Sequence, residues 1–132
     1  MKRIMIVDDS LVFRINLKNV LEKHGYQVVA EAVNGQDAVE KYLKFSPDLT
    51  TMDITMPILD GISALKKIIV KDSSACIVMI SAMGQESKVI ESLNNGARHF
   101  IVKPFKEADV VNIVASVLEV EQEESVNVCA SR

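Results

Sequence analysis

Short apolar runs alternate along this chain with longer segments in which apolar residues recur at helical spacing. Ile4–Val7 and Cys76–Ile80 are uninterrupted apolar runs of the kind that forms a buried strand. Between residues 11 and 24 the spacing changes, because apolar residues follow Phe13 at the fourth, seventh and eighth positions. The alternation predicts strands and amphipathic helices in turn.

The pattern predicts five strands and five helices. The strands are expected at residues 4–7, 27–33, 48–52, 76–80 and 99–102. The helices are expected at residues 11–24, between Asn34 and Pro47, from Gly61 onward, at 87–95 and at 107–120. Ser10 and Asn34 carry side chains suited to capping the first two helices. The second helix is expected to bury Ala38, Val39, Tyr42 and Leu43.

Strands that are apolar throughout, placed between amphipathic helices, are typical of a parallel sheet covered on both faces. A closed barrel of this kind needs eight units, and the chain supplies five. We therefore expect an α/β fold, a doubly wound (βα)5 parallel sheet with the flavodoxin-like strand order 2-1-3-4-5.

Polar residues stand where the predicted core strands end. Asp8 and Asp9 follow the first strand, Asp53 follows the third, Ser81 the fourth and Lys103 the fifth. In an open α/β sheet, ligands bind beyond the carboxyl ends of the strands, where the strand order reverses. For the expected order that point lies between strands one and three, so these residues are predicted to meet at one edge.

Three carboxylates at one edge raise each other's pKa values unless a cation joins them. An all-oxygen ligand set without a dedicated cage is typical of Mg²⁺. A lysine and a hydroxyl supply the positive charge and the donor that a phosphoryl group needs, and a carboxylate can attack phosphorus to form an acyl phosphate. The residues therefore predict phosphoryl transfer onto an aspartate with Mg²⁺ as cofactor.

Each residue also has an ordinary explanation taken alone. Asp8 and Asp9 can favour the start of a helix, and Lys103 can be a surface lysine. Their joint placement at one predicted edge favours a site. Asp60 precedes Gly61 and is interpreted as a helix-start residue without a site role.

Composition and charge limit the classes of partner that the chain can bind. The chain has 132 residues and a net charge of −3. Since four of its 18 acidic and one of its 15 basic residues lie in the last fourteen positions, the rest carries 14 of each sign. No basic field favours nucleic acid, no apolar stretch spans a bilayer, and we expect a cytoplasmic protein. Residues 1–120 are expected to form one domain and residues 121–132 a flexible acidic tail.

Four sequence words, "IMIVDDS", "MDITMPILDGI", "VMISAMG" and "FIVKPF", occur in an order and at a spacing that resemble the receiver domains of two-component response regulators. The resemblance covers residues 2 to about 120. The words "TMDITMP" and "SAMGQ" are further similar to the single-domain chemotaxis regulators of some bacteria. The resemblance implies the same doubly wound fold and a phosphorylation switch.

The resemblance also implies a role for each acidic residue. Asp53 would accept the phosphoryl group from a histidine kinase. Asp9 would bind Mg²⁺ directly and Asp8 often through water, while Asp53 and the backbone carbonyl of Thr55 would complete the protein ligands.

Three further residues have implied roles in the switch. Lys103 would pair with a phosphoryl oxygen, before a Lys-Pro bond that is often cis in this family. Ser81 would donate to the phosphoryl group and draw the following loop inward. Phe100 would occupy the aromatic switch position, where many chemotaxis regulators carry tyrosine, and so lacks the phenolic hydroxyl.

The resemblance implies that the protein acts by binding other proteins. The implied partners are a histidine kinase, an output protein such as a flagellar motor switch component, and a phosphatase, and we expect a monomer that catalyses only its own phosphorylation and dephosphorylation. The output face would include Lys88, Glu91, Arg98, Lys106 and Asp109. Two alternatives stay open: a phosphorelay intermediate, and a Mg²⁺-dependent phosphohydrolase with an aspartate nucleophile. The usual Asp-x-Asp of such hydrolases is missing after the first strand.

Overall fold

Five parallel strands form the central sheet of the computed structural model, which describes the backbone of residues 1–130 and the side chains of residues 1–119. The strands are β1 (Arg3–Val7), β2 (Gln27–Ala32), β3 (Leu49–Asp53), β4 (Ile77–Ala82) and β5 (His99–Lys103). The helices are α1 (Leu11–Lys23), α2 (Gly35–Phe45), α3 (Gly61–Lys71), α4 (Glu86–Asn94) and α5 (Glu107–Ala130). The spatial order is β2-β1-β3-β4-β5, which confirms the predicted doubly wound α/β fold.

Each face of the sheet has its own apolar core, because successive side chains of a strand point to opposite faces. Met5 and Val7 of β1 pack with α2, α3 and α4, whereas Ile4 and Ile6 pack with α1 and α5. Both sets are buried, with Ile4, Met5 and Ile6 at 0% exposure. The strands are therefore fixed in register from both sides, and their ends are fixed with them.

The first three helices begin at side-chain caps. Ser10, Asn34 and Asp60 each accept a hydrogen bond from the backbone N–H three residues further on, at 3.2, 2.8 and 2.7 Å. Ser10 and Asn34 were predicted from the sequence to cap their helices, and Asp60 was interpreted as a helix-start residue. Gln85, at the start of α4, makes no such bond.

Two details differ from the expectations. Leu43 is 53% exposed, so its predicted burial was wrong: Gly35 and Tyr42 lie in the middle of the buried stripe of α2, and Leu43 lies on its flank. Helix α5 continues to Ala130, beyond the predicted end at residue 120, since glutamate and glutamine favour helix even without an apolar face. The side chains beyond residue 119 lie outside the described residues, and the flexibility of the acidic tail stays a prediction.

No helix in the described part of the chain is both long enough and apolar enough to cross a membrane.

The start of α3 is pressed against the end of β3. The Gly61 N–H donates to the Ile54 carbonyl at 2.8 Å, and a Cβ on Gly61 would overlap the backbone carbonyl of Asp53. No other residue type fits here without moving backbone. This contact places the end of β3, and hence Asp53, relative to α3.

Gly61→Ala is expected to lower the free energy of unfolding by about 3 kcal/mol, because the overlap involves backbone atoms that cannot rotate away. Gly25→Ala is the matched comparison: Gly25 has φ +90° but open space around its Cβ position, so only about 1 kcal/mol of backbone strain is expected. Urea unfolding of the wild type and both variants measures these changes in the free energy of unfolding. Equal losses would show that the close approach does not constrain Gly61.

Candidate functional site

Three aspartates meet at the carboxyl edge of the sheet, as the sequence predicted. Asp8 and Asp9 follow β1, Asp53 ends β3, and these strands are neighbours. One carboxylate oxygen from each lies within 4.8 Å of the others. Asp8 is 1% and Asp53 9% exposed, whereas Asp9 faces solvent. The cluster thus combines two carboxylates that have lost most of their water with one open to it.

Lys103 reaches this cluster from β5. Its Nζ lies 2.9 Å from Asp8 Oδ2 and 3.6 Å from Asp53 Oδ2. The same nitrogen stands 3.9 Å from the centre of the Phe13 ring, an aromatic contact that favours a cation. The peptide bond between Lys103 and Pro104 is cis. One ammonium therefore balances part of the charge of three carboxylates.

Backbone contacts hold the loop after β1 in place. Asp8 Oδ1 accepts from the Ser10 N–H at 2.8 Å, and the Asp8 carbonyl accepts from Arg14 Nη1 at 2.8 Å. Arg14 Nε donates to Glu31 Oε1 at 3.1 Å, which connects the loop to β2. Sequence reasoning missed Arg14, because no short-range pattern shows which carbonyl a helical arginine reaches.

The position of Asp53 opposes its ionisation. The pKa of the Asp53 carboxyl is raised from 3.8 to about 6, because burial and, to a lesser extent, the charges of Asp8 and Asp9 outweigh the lowering effect of Lys103. Loss of water and like charge both disfavour the carboxylate. A divalent cation bound among these oxygens would relieve the repulsion. Clustered carboxylate oxygens suit Mg²⁺, so the residues present fit that ion.

Ser81 lies beside the cluster on the other face of the sheet. Ser81 is 1% exposed, and its Oγ has no hydrogen-bond partner in the described part of the chain. A buried hydroxyl without a partner costs about 1–3 kcal/mol. It borders a cavity of about 440 Å³ that Met83, Val89 and Phe100 also line. The Ser81 hydroxyl is therefore available to donate a hydrogen bond to a group that binds at this site.

The two remaining predicted residues lie on either side of Ser81. Phe100 of β5 is half-buried, packs against the core beneath α2, α3 and α4, and contacts the His99 ring at 5.7 Å between centroids. Thr55 is exposed in the loop after β3, and its Oγ1 accepts from Gln85 Nε2 at 2.9 Å. The structure thus gathers the carboxylates of Asp8, Asp9 and Asp53, with Lys103 paired to Asp8 and Asp53. Ser81, Thr55 and Phe100 lie at or near the ends of the neighbouring strands β3, β4 and β5.

Fold and site together define a receiver domain of two-component signalling. The response regulator receiver domain family matches residues 4–115, and the chain belongs to this family. The assignment confirms the resemblance seen in the four sequence words.

Particular relatives narrow the class to the chemotaxis regulators. The chain is 54% identical over 116 residues to chemotaxis protein CheY of Bacillus subtilis, covering 88% of this chain and 97% of the relative. It is 50% identical to CheY of Thermotoga maritima with the same coverage. The crystal structure of the CheX-CheY-BeF3-Mg+2 complex from Borrelia burgdorferi matches with a TM-score of 0.85, 40% identity and 88% coverage of both chains.

Asp53→Asn is expected to stabilise the protein near neutral pH when divalent cations are absent. Since the folded pKa of about 6 lies above the ordinary 3.8, the folded state binds the proton more tightly and stability falls as pH rises through this interval. The shift corresponds to a loss on the order of 3 kcal/mol, which the variant avoids. Urea unfolding in the presence of a chelator, between about pH 4 and pH 7, measures it.

Asp109→Asn is the control, because Asp109 is exposed on α5 and its replacement keeps an acceptor for the Lys106 N–H. An Asp53→Asn protein whose stability follows the wild-type pH dependence would contradict the raised pKa.

Proposed function

We propose that this chain is a phospho-accepting chemotaxis regulator: a histidine kinase phosphorylates Asp53, and the phosphorylated form binds an output protein. The observation that carries the proposal is the cluster of Asp8, Asp9 and Asp53 around the Lys103 ammonium. Such a cluster has a nucleophile, a place for a divalent cation and a fixed positive charge within a few ångströms. Identity to CheY relatives supports the chemotactic role.

Mg²⁺ is the proposed cofactor. Asp9 would bind it directly and Asp8 through water, while Asp53 and the Thr55 backbone carbonyl would complete the protein ligands. When bound, the ion would supply positive charge that keeps Asp53 ionised and offsets the charge of a phosphoryl group. The solvent-facing Asp9 gives the ion a route to the site.

Asp53 is the proposed nucleophile. A carboxylate oxygen attacks phosphorus, the bond between phosphorus and the donor's histidine nitrogen or acetyl oxygen breaks, and the donor leaves with that electron pair. Lys103 Nζ, already 3.6 Å from Asp53 Oδ2, would pair with a phosphoryl oxygen. The product is an acyl phosphate whose new charge sits beside Ser81.

Ser81 and Phe100 are the proposed readout. A phosphoryl oxygen would give the Ser81 hydroxyl the acceptor that it lacks, which favours movement of the loop after β4 toward Asp53. The cavity of about 440 Å³ next to both residues gives the Phe100 ring room to change position. Because phenylalanine has no hydroxyl, this readout depends on packing alone.

The output partner is proposed to dock on the surface that adjoins this cavity. Met83, Ile90 and Leu93 are 78%, 59% and 40% exposed there. Lys88, Arg98, Lys106 and Asp109, predicted for the same surface, are also exposed, whereas Glu91 is half-buried. We propose a flagellar motor switch component as the partner, with a phosphatase as a second partner of the phosphorylated site. The protein acts in the cytoplasm as a monomer, without nucleic-acid or membrane partners.

Family membership favours this switch over the phosphohydrolase considered from the sequence. The only reactions that we propose for this chain are its own phosphorylation and dephosphorylation. A phosphorelay intermediate would use the same residues, and the similarity to CheY relatives favours motor control.

The test is intact mass after incubation with acetyl phosphate, with and without Mg²⁺. The wild type is expected to gain one phosphoryl group only when Mg²⁺ is present, and Asp53→Asn is expected to gain none. Asp60→Asn is the matched control, because Asp60 caps α3 and asparagine keeps that acceptor. It should be phosphorylated like the wild type.

An adduct that persists in Asp53→Asn, or its absence from the wild type, would overturn the proposal. Steady release of phosphate from small phosphoesters without an adduct would instead support the hydrolase.

A further inference from the structure

Gln85 has an unusual use for a residue at a helix start. It precedes α4, yet its side chain makes no cap bond. Its carboxamide instead joins the end of β4 to the loop after β3: Oε1 accepts from the Ala82 N–H at 2.7 Å, and Nε2 donates to Thr55 Oγ1 at 2.9 Å. Glutamine is a poor N-cap, since short side chains suit that position. The structural effect of the Gln85 side chain is therefore to join the nearby Ala82 to the distant Thr55.

Both anchors of this bridge adjoin proposed reacting groups. Thr55 lies two residues after Asp53, and Ala82 directly follows Ser81. The bridge therefore ties the loop after β3 to the end of β4. Gln85 itself is half-buried and lines the cavity shared by Ser81 and Phe100.

The bridge restrains Ser81. The N–H that Gln85 accepts belongs to the peptide unit joining Ser81 to Ala82. When Ser81 moves toward an acceptor on Asp53, this peptide unit moves as well, and its bond to a carboxamide held by Thr55 is stretched or broken. The Ser81 hydroxyl has no hydrogen-bond partner among the residues that the structure describes, which is consistent with such a restraint.

We propose that Gln85 is a positioning residue that latches the loop after β4 in its unphosphorylated position and so weakens binding of the phosphoryl group. The proposal rests on the proposed function and adds a residue that opposes the switch. A bond present in one state alone shifts the equilibrium by its own free energy. Two partly exposed neutral bonds correspond to roughly a threefold to tenfold effect.

The probe is beryllium fluoride with Mg²⁺, a phosphoryl mimic, titrated by calorimetry into the full chain. Gln85→Leu is expected to bind beryllium fluoride roughly threefold to tenfold more tightly than the wild type, with an unchanged affinity for Mg²⁺ alone. Gln36→Leu is the matched control, because Gln36 also lies at a helix start and its side chain, which is exposed, bonds to Glu40 away from the site. It should bind both like the wild type.

A second arm removes the other end of the bridge. Thr55→Val is expected to tighten beryllium fluoride binding as Gln85→Leu does, and Thr55→Ser, which keeps the hydroxyl, is expected to behave as the wild type. The double variant should show no more than the larger single effect, since both changes break one bridge. Amide exchange at Ala82, measured by NMR without Mg²⁺ or beryllium fluoride, should be faster in Gln85→Leu.

Several outcomes would overturn the latch. They are unchanged or weaker beryllium fluoride binding in both Gln85→Leu and Thr55→Val, a matching change in Mg²⁺ affinity, or fully additive effects. If Gln85→Leu does not fold, Thr55→Val decides. A wild type that binds no beryllium fluoride would refute the proposed function itself and the latch with it, whereas a binding wild type with indifferent variants refutes the latch alone.

Discussion

Repulsion among three aspartates is the constraint on which the rest of the site depends. Neighbouring strands β1 and β3 end at the same edge, so Asp8, Asp9 and Asp53 are held within a few ångströms whatever their charges. The two apolar cores fix those strands, so the backbone positions of the three aspartates are fixed as well. Lys103 offsets part of the charge, and the remainder creates a demand for a cation.

The site residues are divided between the two faces of the sheet. Asp8, Asp53 and Lys103 share the face covered by α1 and α5, where their strands carry Ile6 and Ile101. Ser81 and Phe100 belong to the opposite face, together with the cavity beneath α4. Under the proposed function, a change of charge on the first face would alter packing on the second. The proposed link passes through the ends of β3 and β4, where the Gln85 carboxamide also lies.

Local rules were enough to predict the strand ends and the helix caps. Asp8, Asp53 and Lys103 were placed at one edge because parallel strands put their carboxyl ends together. Ser10 capped its helix as its side chain indicates. The bridge from Gln85 to Thr55 was not predictable, because it joins residues thirty positions apart and depends on the direction of a flexible side chain. The burial of Leu43 failed for a related reason, since the flank of an apolar stripe is decided by neighbouring elements.

Repulsion at the site can be measured as the pKa of the Asp53 carboxyl, by NMR titration with and without Mg²⁺. Without the ion we expect a value of about 6 in place of the ordinary 3.8. Saturating Mg²⁺ should lower it, because the cation removes the cause of the repulsion. An ordinary value that Mg²⁺ does not change would mean that the three aspartates do not oppose one another and that the site has no need of a cation.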